Sequence, residues 1–117
     1  MSQDDRLTGL VGYSGVKVPV RAATTAAITL SGEQTVDGVA VVTDDRVLVK
    51  DQASSIDNGI WIADTGSWVR ATDADGSYDL RNGSLVLVNS GTANDGKVFK
   101  ASCTDPLTVG TGTVTFS

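Results

Sequence analysis

Arg46-Val47-Leu48-Val49-Lys50, closed by Asp51-Gln52 and followed by Asn58-Gly59-Ile60-Trp61-Ile62-Ala63, decides the reading of this chain. The first run is five residues of β-branched and aliphatic character between charged ends, which suits a pleated strand. Side chains alternate across a strand. Val47 and Val49 therefore share one face, and Leu48 lies on the other with Arg46 and Lys50. Leu48 on an otherwise charged face is a candidate subunit-interface residue. The second run, Ile60–Ala63, has no polar alternation, so it wants cover on both faces. With the turn at Asp64-Thr65-Gly66 and Trp68-Val69-Arg70-Ala71 beyond it, the segment reads as a hairpin.

Working outward, the same grammar repeats. Val16-Lys17-Val18-Pro19-Val20-Arg21 alternates, and Pro19 confines it to an edge or a strand end. Ala22–Ala27 is a linker or a single helical turn, and Ile28-Thr29-Leu30 a short strand. Gln34-Thr35-Val36-Asp37-Gly38-Val39 holds an Asp-Gly turn between apolar residues, a strong short-range hairpin signal. Val39–Val42 follows as a strand. After a long polar connection from Asp73 to Gly83 come strands at Ser84–Asn89, Lys97–Ala101 and Thr113–Phe116. Strands at intervals of roughly 8–12 residues with turn chemistry between them predict an all-β fold, a small antiparallel β-sandwich or barrel-like domain with short strands. Helix-forming polar residues are scarce, with Glu33 the sole glutamate. Val39–Val42, Ile60–Ala63 and Leu85–Val88 are apolar on both faces, and a chain of 117 residues with no evident helix has little to cover them all. This predicts a homo-oligomer and adds Leu85 and Leu87 to Leu48 as interface candidates.

Composition removes most catalytic options. There is no histidine, so the histidine-dependent triads, imidazole acid-base steps and histidine metal ligands are excluded. A lone cysteine, Cys103, forms no intrachain disulfide and reads as a buried, inert thiol. Fourteen acidic residues against nine basic ones give a net charge of -5, which speaks against nucleic-acid partners. The start Met-Ser-Gln-Asp-Asp-Arg has neither the basic opening nor the apolar run of a secretory signal. No stretch approaches the ~18 apolar residues of a membrane span, so no membrane insertion is expected. Residues 1–15 carry Gly9, Gly12 and Gly15 without periodicity, and read as a flexible arm preceding one domain at 16–117.

Three groupings bear on chemistry. Asp73-Ala74-Asp75-Gly76-Ser77-Tyr78-Asp79 is the densest acidic cluster, but it places glycine fourth rather than sixth and lacks the closing glutamate of a calcium loop. The near acidic pairs, Asp44/Asp45 and Asp73/Asp75, sit in turns where aspartate serves the backbone, which is a poor basis for glycoside hydrolysis. Trp61 reads as core. Trp68 follows a turn and reads as half exposed, so Trp68, Arg70 and Tyr78 form the candidate contact patch, a sugar-stacking surface. No catalytic residue, metal site or cofactor follows from these residues, and the expected activity is binding rather than catalysis.

Taken in order, Arg21–Gly32, Gln34–Val39, Asp45-Arg46-Val47-Leu48-Val49-Lys50-Asp51-Gln52, Asn58-Gly59-Ile60-Trp61 and Trp68-Val69-Arg70-Ala71-Thr72-Asp73-Ala74-Asp75 resemble a module of bacteriophage tail-fibre and other virion appendage proteins. The likeness is close from Arg21 to Asp75 and looser from Ser84 to Phe116. Where the module more often has a glycine, this chain has Asp44. The resemblance implies a virion structural protein of the tail-fibre, head-spike or capsid-decoration type, made in the host cytoplasm, with a homotrimer favoured. It would be attached to other virion proteins, through residues 1–15 as a docking peptide, and contact the host surface. A carbohydrate-binding module that recognises host surface glycans through Trp68 and Tyr78 is the alternative. For the shared residues themselves the physical reading is structural. Arg46 is expected to pair with an aspartate, while Asp51, Gln52 and Asn58 are expected to hydrogen-bond loop backbone.

Overall fold

A computed structural model describes residues 15–76 and 79–117. The expected arm falls almost wholly outside them, as does Tyr78. The described chain is all-β. Its strands are β1 (Ala22–Ala23), β2 (Thr35–Val36), β3 (Val39–Ala40), β4 (Arg46–Val49), β5 (Gly59–Ile62), β6 (Val69–Arg70), β7 (Leu85–Leu87), β8 (Val98–Ser102) and β9 (Thr115–Phe116). Single 3-10 turns at Ser55–Asp57 and Thr72–Ala74 interrupt the loops after β4 and β6. They form three sheets, with orders β1-β4-β5-β6, β2-β3 and β7-β8-β9.

The Asp-Gly hairpin is where the sequence puts it. Asp37 (φ 48°) and Gly38 (φ 80°) both take the left-handed region, as a two-residue turn joining twisted strands requires. They set Val36 opposite Val39. β4 and β5 pair antiparallel with Leu48 opposite Ile60, and β5 pairs β6 with Trp61 opposite Arg70. The expectation of a purely antiparallel fold is corrected at β1, which runs parallel to β4 with Ala23 opposite Leu48. Residues 16–20 also bridge β7 in parallel, at Val16–Leu85 and Val20–Val88. The chain from 16 to 24 thus lies first along one sheet and then along another, joining them. Ile28–Leu30 is not a strand, and Val39–Val42 is one only over Val39–Ala40.

Leu48 is fully buried in the chain's own core, which corrects its assignment to a subunit interface. The two faces of β4 feed two clusters. Leu48 joins Ile60, Leu80, Val86, Val88 and Phe116 in the larger. Val47 and Val49 join Val36, Val41 and Trp68 in the smaller. The chain therefore supplies internally much of the cover that the two-faced apolar runs demand. Each such side chain withdrawn from water contributes about 1.5–3 kcal/mol.

With strands this short, side chains replace missing ladder bonds. The Gln52 amide clamps Ile28 on both sides: its Oε1 accepts from Ile28 N at 2.9 Å and its Nε2 donates to Ile28 O at 3.0 Å. Asn58, almost completely buried, accepts from Gln52 N at 3.1 Å and donates to Val114 O at 2.9 Å. Asn94 donates to the carbonyls of Ala23 and Thr24. The Asp37 carboxylate accepts from the backbone N–H groups of Ala93 and Asn94, welding the hairpin tip to the 91–94 turn. A Cβ added at Gly91 (φ 143°) would collide with Asp37 Oδ2, so the turn needs glycine there twice over.

Candidate functional site

The expected aromatic contact patch does not assemble. Trp68 is only 4% exposed, in the smaller core cluster, and its Nε1 donates to Gly32 O at 3.0 Å. This corrects its reading as half exposed: a strand start facing the β2–β3 hairpin is covered, and the indole N–H finds a carbonyl there. Trp61 takes the reverse position, part-exposed at the edge of the same cluster. Arg70 lies over the Trp61 ring at 4.5 Å. Its guanidinium also donates to Asn58 O at 3.0 Å and Ile56 O at 2.8 Å. Burial lowers its pKa, with Asp57 pulling the other way. Arg70 is thus committed to holding the 55–58 turn against β6 and has little left for a ligand. Tyr78 lies outside the described residues.

The carboxylates are committed in the same manner. Asp73 takes both guanidinium nitrogens of Arg46, at 2.9 and 3.2 Å, and Arg46 Nη2 also donates to Val18 O at 2.9 Å. The expected Arg46 pairing is present. Asp45 accepts from Arg21 at 2.6 Å and from Val42 N at 2.8 Å. Asp51 accepts from Thr24 Oγ1 and Lys50 Nζ, so its partners are side chains rather than the expected loop backbone. Asp79 accepts from Gly76 N. No group of three or more acidic, cysteine or histidine residues suited to a metal occurs among the described residues. The Cys103 thiol is half-buried rather than buried, and burial together with Asp105 raises its pKa, which keeps it protonated.

Sequence reasoning missed Lys17. It is buried, and its Nζ donates to Asp73 O at 2.6 Å. Desolvation lowers its pKa, opposed by Asp73 and Asp79, while Arg46 adds to the lowering. The alternation at 16–20 is therefore inverted: the lysine points in and the valines beside it point out. Lys17 N donates to Leu85 O and Val20 N to Leu87 O, three residues against two, so Val18 and Pro19 are both exposed and Val20 returns to the core.

That inversion creates the most conspicuous surface of the molecule. Val16 is 66% and Val18 59% exposed. On the neighbouring strand Leu85 is 37% and Leu87 38% exposed, and across from Leu87 lies Val98 at 55%. Bridging and register place these five side chains on the outer face of one sheet, with Lys100 opposite Leu85. Leu85 and Leu87, two of the three interface candidates, stand at its centre. Their inward neighbour Val86 and the adjoining Val88 are core. A separate open groove of about 330 Å³ is lined by Thr104, Pro106, Leu107, Thr108, Thr111, Gly112 and Thr113, a hydroxyl-rich and uncharged set.

No family model, curated protein or solved structure matches this chain. What the molecule offers a partner is therefore argued from its own surfaces. No helix among the described residues is long and apolar enough to cross a membrane. The residues of the quoted motifs mostly build the fold, and the apolar sheet face is the candidate functional surface.

Proposed function

We propose that this chain is a structural component of a phage particle, of the tail-fibre, head-spike or capsid-decoration type, acting by binding and not by catalysis. In this reading it is a sandwich-like homo-oligomer, a trimer by preference, mounted on other virion proteins through residues 1–15. The observation that carries the reading is how the residues of the resembling segment are employed. Arg46 and Asp73 pair, Gln52 clamps Ile28, Asn58 ties the 52–58 loop to Val114, and Arg70 stacks on Trp61. Residues shared with an appendage module are thus invested in a scaffold, as a structural role requires. Asp44 fits as well. It has φ 76°, a left-handed conformation natural to the glycine more often found there in the module and tolerated by aspartate.

The test is co-sedimentation of the purified, labelled chain with phage particles whose own copy is absent. Retention that disappears when residues 1–15 are deleted supports mounting through the arm. A chain that stays in the supernatant with every particle tried, full length and intact, overturns the proposal.

A carbohydrate-binding role is the second reading, favoured by one observation, the threonine-lined groove at 104–113. Hydroxyls there suit sugar hydroxyls, although the groove lacks the aromatic platform that Trp68 was expected to provide. Retention on a glycan array, abolished by Thr108→Val with Thr111→Val, would support it; an array with no retention removes it.

A further inference from the structure

The exposed sheet face and a second, differently charged surface complement one another. The face carries Val16, Val18, Leu85, Leu87 and Val98, with Lys100 among them and Lys97 at the rim. Together the five apolar side chains present roughly 400 Å², a contiguous patch of the size that on a protein surface is often functional. Lys97 and Lys100 are exposed and enter no ion pair among the described residues. Asp95, in the turn ahead, is the one acidic residue in that loop.

The second surface is the 42–45 corner, the turn ahead of β4, where Asp45 accepts from Val42 N and pairs with Arg21 at 2.6 Å. Val42 is 47% exposed. Thr43 donates from its N and Oγ1 to Glu33 Oε2, at 2.9 and 3.0 Å, which brings Glu33 to the corner. Asp44 is exposed and donates its N–H to Ala63 O, so Asp64 adjoins it. None of Glu33, Asp44 and Asp64 enters an ion pair among the described residues. An exposed apolar residue thus sits in an acidic corner, on a chain whose larger apolar surface is flanked by ammonium groups that enter no ion pair among the described residues.

We infer that the sheet face of one copy receives the 42–45 corner of a second copy, a head-to-tail contact that repeats until the ring closes. Two unlike surfaces on one chain make a heterologous interface, and such interfaces generate rings when the rotation closes. Standard interfaces take about 800 Å² from each partner, so a patch half that size serves as the apolar centre of a contact whose charged rim sets its register. This inference rests on the oligomer in the reading above and names its surfaces. It does not depend on the particle.

The experiment is light scattering on the full chain and two variants, each first checked for an unchanged far-ultraviolet circular dichroism spectrum and a cooperative thermal transition. The face variant is Val98→Glu with Lys100→Glu. The corner variant is Val42→Lys with Asp44→Asn, which keeps a residue tolerant of left-handed φ at 44. The full chain is expected at a fixed multiple of 12.0 kDa, dissociating with added salt. Each variant alone is expected to dissociate at least roughly tenfold more readily. Mixed, they retain one intact face and one intact corner between them, so the expected species is a heterodimer. An oligomer insensitive to the corner variant would mean face-on-face packing, and overturns the head-to-tail contact while sparing the oligomer. A full chain that is monomeric at every concentration overturns both. In that case the occupant of the face is a different protein or the chain's own residues 1–14.

Discussion

Replacing Arg46 by methionine tests whether the charged groups behind the 16–20 segment hold it in place. The guanidinium makes two bonds to the Asp73 carboxylate and a third to Val18 O. Bonds to charged groups contribute about 1.5–3 kcal/mol each when partly shielded, so the gross loss is several kcal/mol. Two effects reduce it. Asp73 is about one-third exposed and recovers water, and Arg46 Nε, buried without a hydrogen-bond partner among the described residues, no longer has to be desolvated. Methionine also keeps much of the aliphatic packing. The net expected cost is about 2 kcal/mol, which lowers the midpoint of a domain this size by roughly 8 °C. Scanning calorimetry with parallel urea titration is the assay. Arg46→Lys should recover less than half of the loss, because a single ammonium cannot span both carboxylate oxygens and the Val18 carbonyl. The double variant with Asp73→Asn should be less costly than the sum of the single ones, as coupled neighbours are. An Arg46→Met midpoint within 1 °C of the parent would refute the reasoning and show the network to be ornamental.

Three further outcomes follow from the same structure. Gln52→Leu should cost about 1–3 kcal/mol in urea unfolding by stranding both backbone groups of Ile28, and an unchanged urea midpoint would mean that water replaces the clamp. Trp68→Phe should remove the blue-shifted, acrylamide-resistant part of the fluorescence and Trp61→Phe the quenchable part; equal quenching of both single-tryptophan proteins contradicts the burial described above. Cys103 alkylation should accelerate only at a pH above that of an unhindered thiol, since burial and Asp105 both favour the protonated form. The linked stability runs the same way. A thiol with a raised folded pKa contributes stability below the unfolded value, lost as pH climbs through the folded one, so Cys103→Ser should flatten the alkaline end of the stability profile.

Much of the architecture was legible because it rests on local chemistry. Asp37-Gly38 marks its hairpin by the left-handed backbone it must adopt, and Arg46–Val49 by β-branching between charged ends. What escaped depends on which groups meet in space. Leu48 looked stranded on a charged face, yet that face belongs to the core, and the charges beside it find partners: Arg46 in Asp73, Lys50 in Asp51. Trp61 and Trp68 exchanged roles because both follow turns, and only the position of the β2–β3 hairpin decides which indole is covered. Lys17 was the least legible. A lysine between two valines on an edge segment reads as the outward residue, and nothing local announces the carbonyl and carboxylates waiting inside. Of the candidate contact residues, Leu85 and Leu87 stand on an open face as the two-faced run at 85–88 suggested, while Trp68 and Arg70 turned out to serve the scaffold.

The buried amide of Asn58 also bears on how the protein ages. Asn58-Gly59 and Asn82-Gly83 are both sequences in which the following nitrogen readily attacks the side-chain amide, releasing ammonia through a cyclic imide. Asn82 is exposed, and the bonds that hold it, from Cys103 N to its Oδ1 and from Gly83 N to Ala101 O, lie in a surface turn that opens more readily than the core. At Asn58 the amide nitrogen is held on Val114 O, the oxygen on Gln52 N, and Gly59 is fixed in β5 opposite Val49. Folding thus shelters an asparagine whose conversion to aspartate would set a carboxylate against a buried carbonyl. A stored sample should accumulate its acidic species at position 82, and the appearance of the same change at 58 would date the moment when molecules began to open.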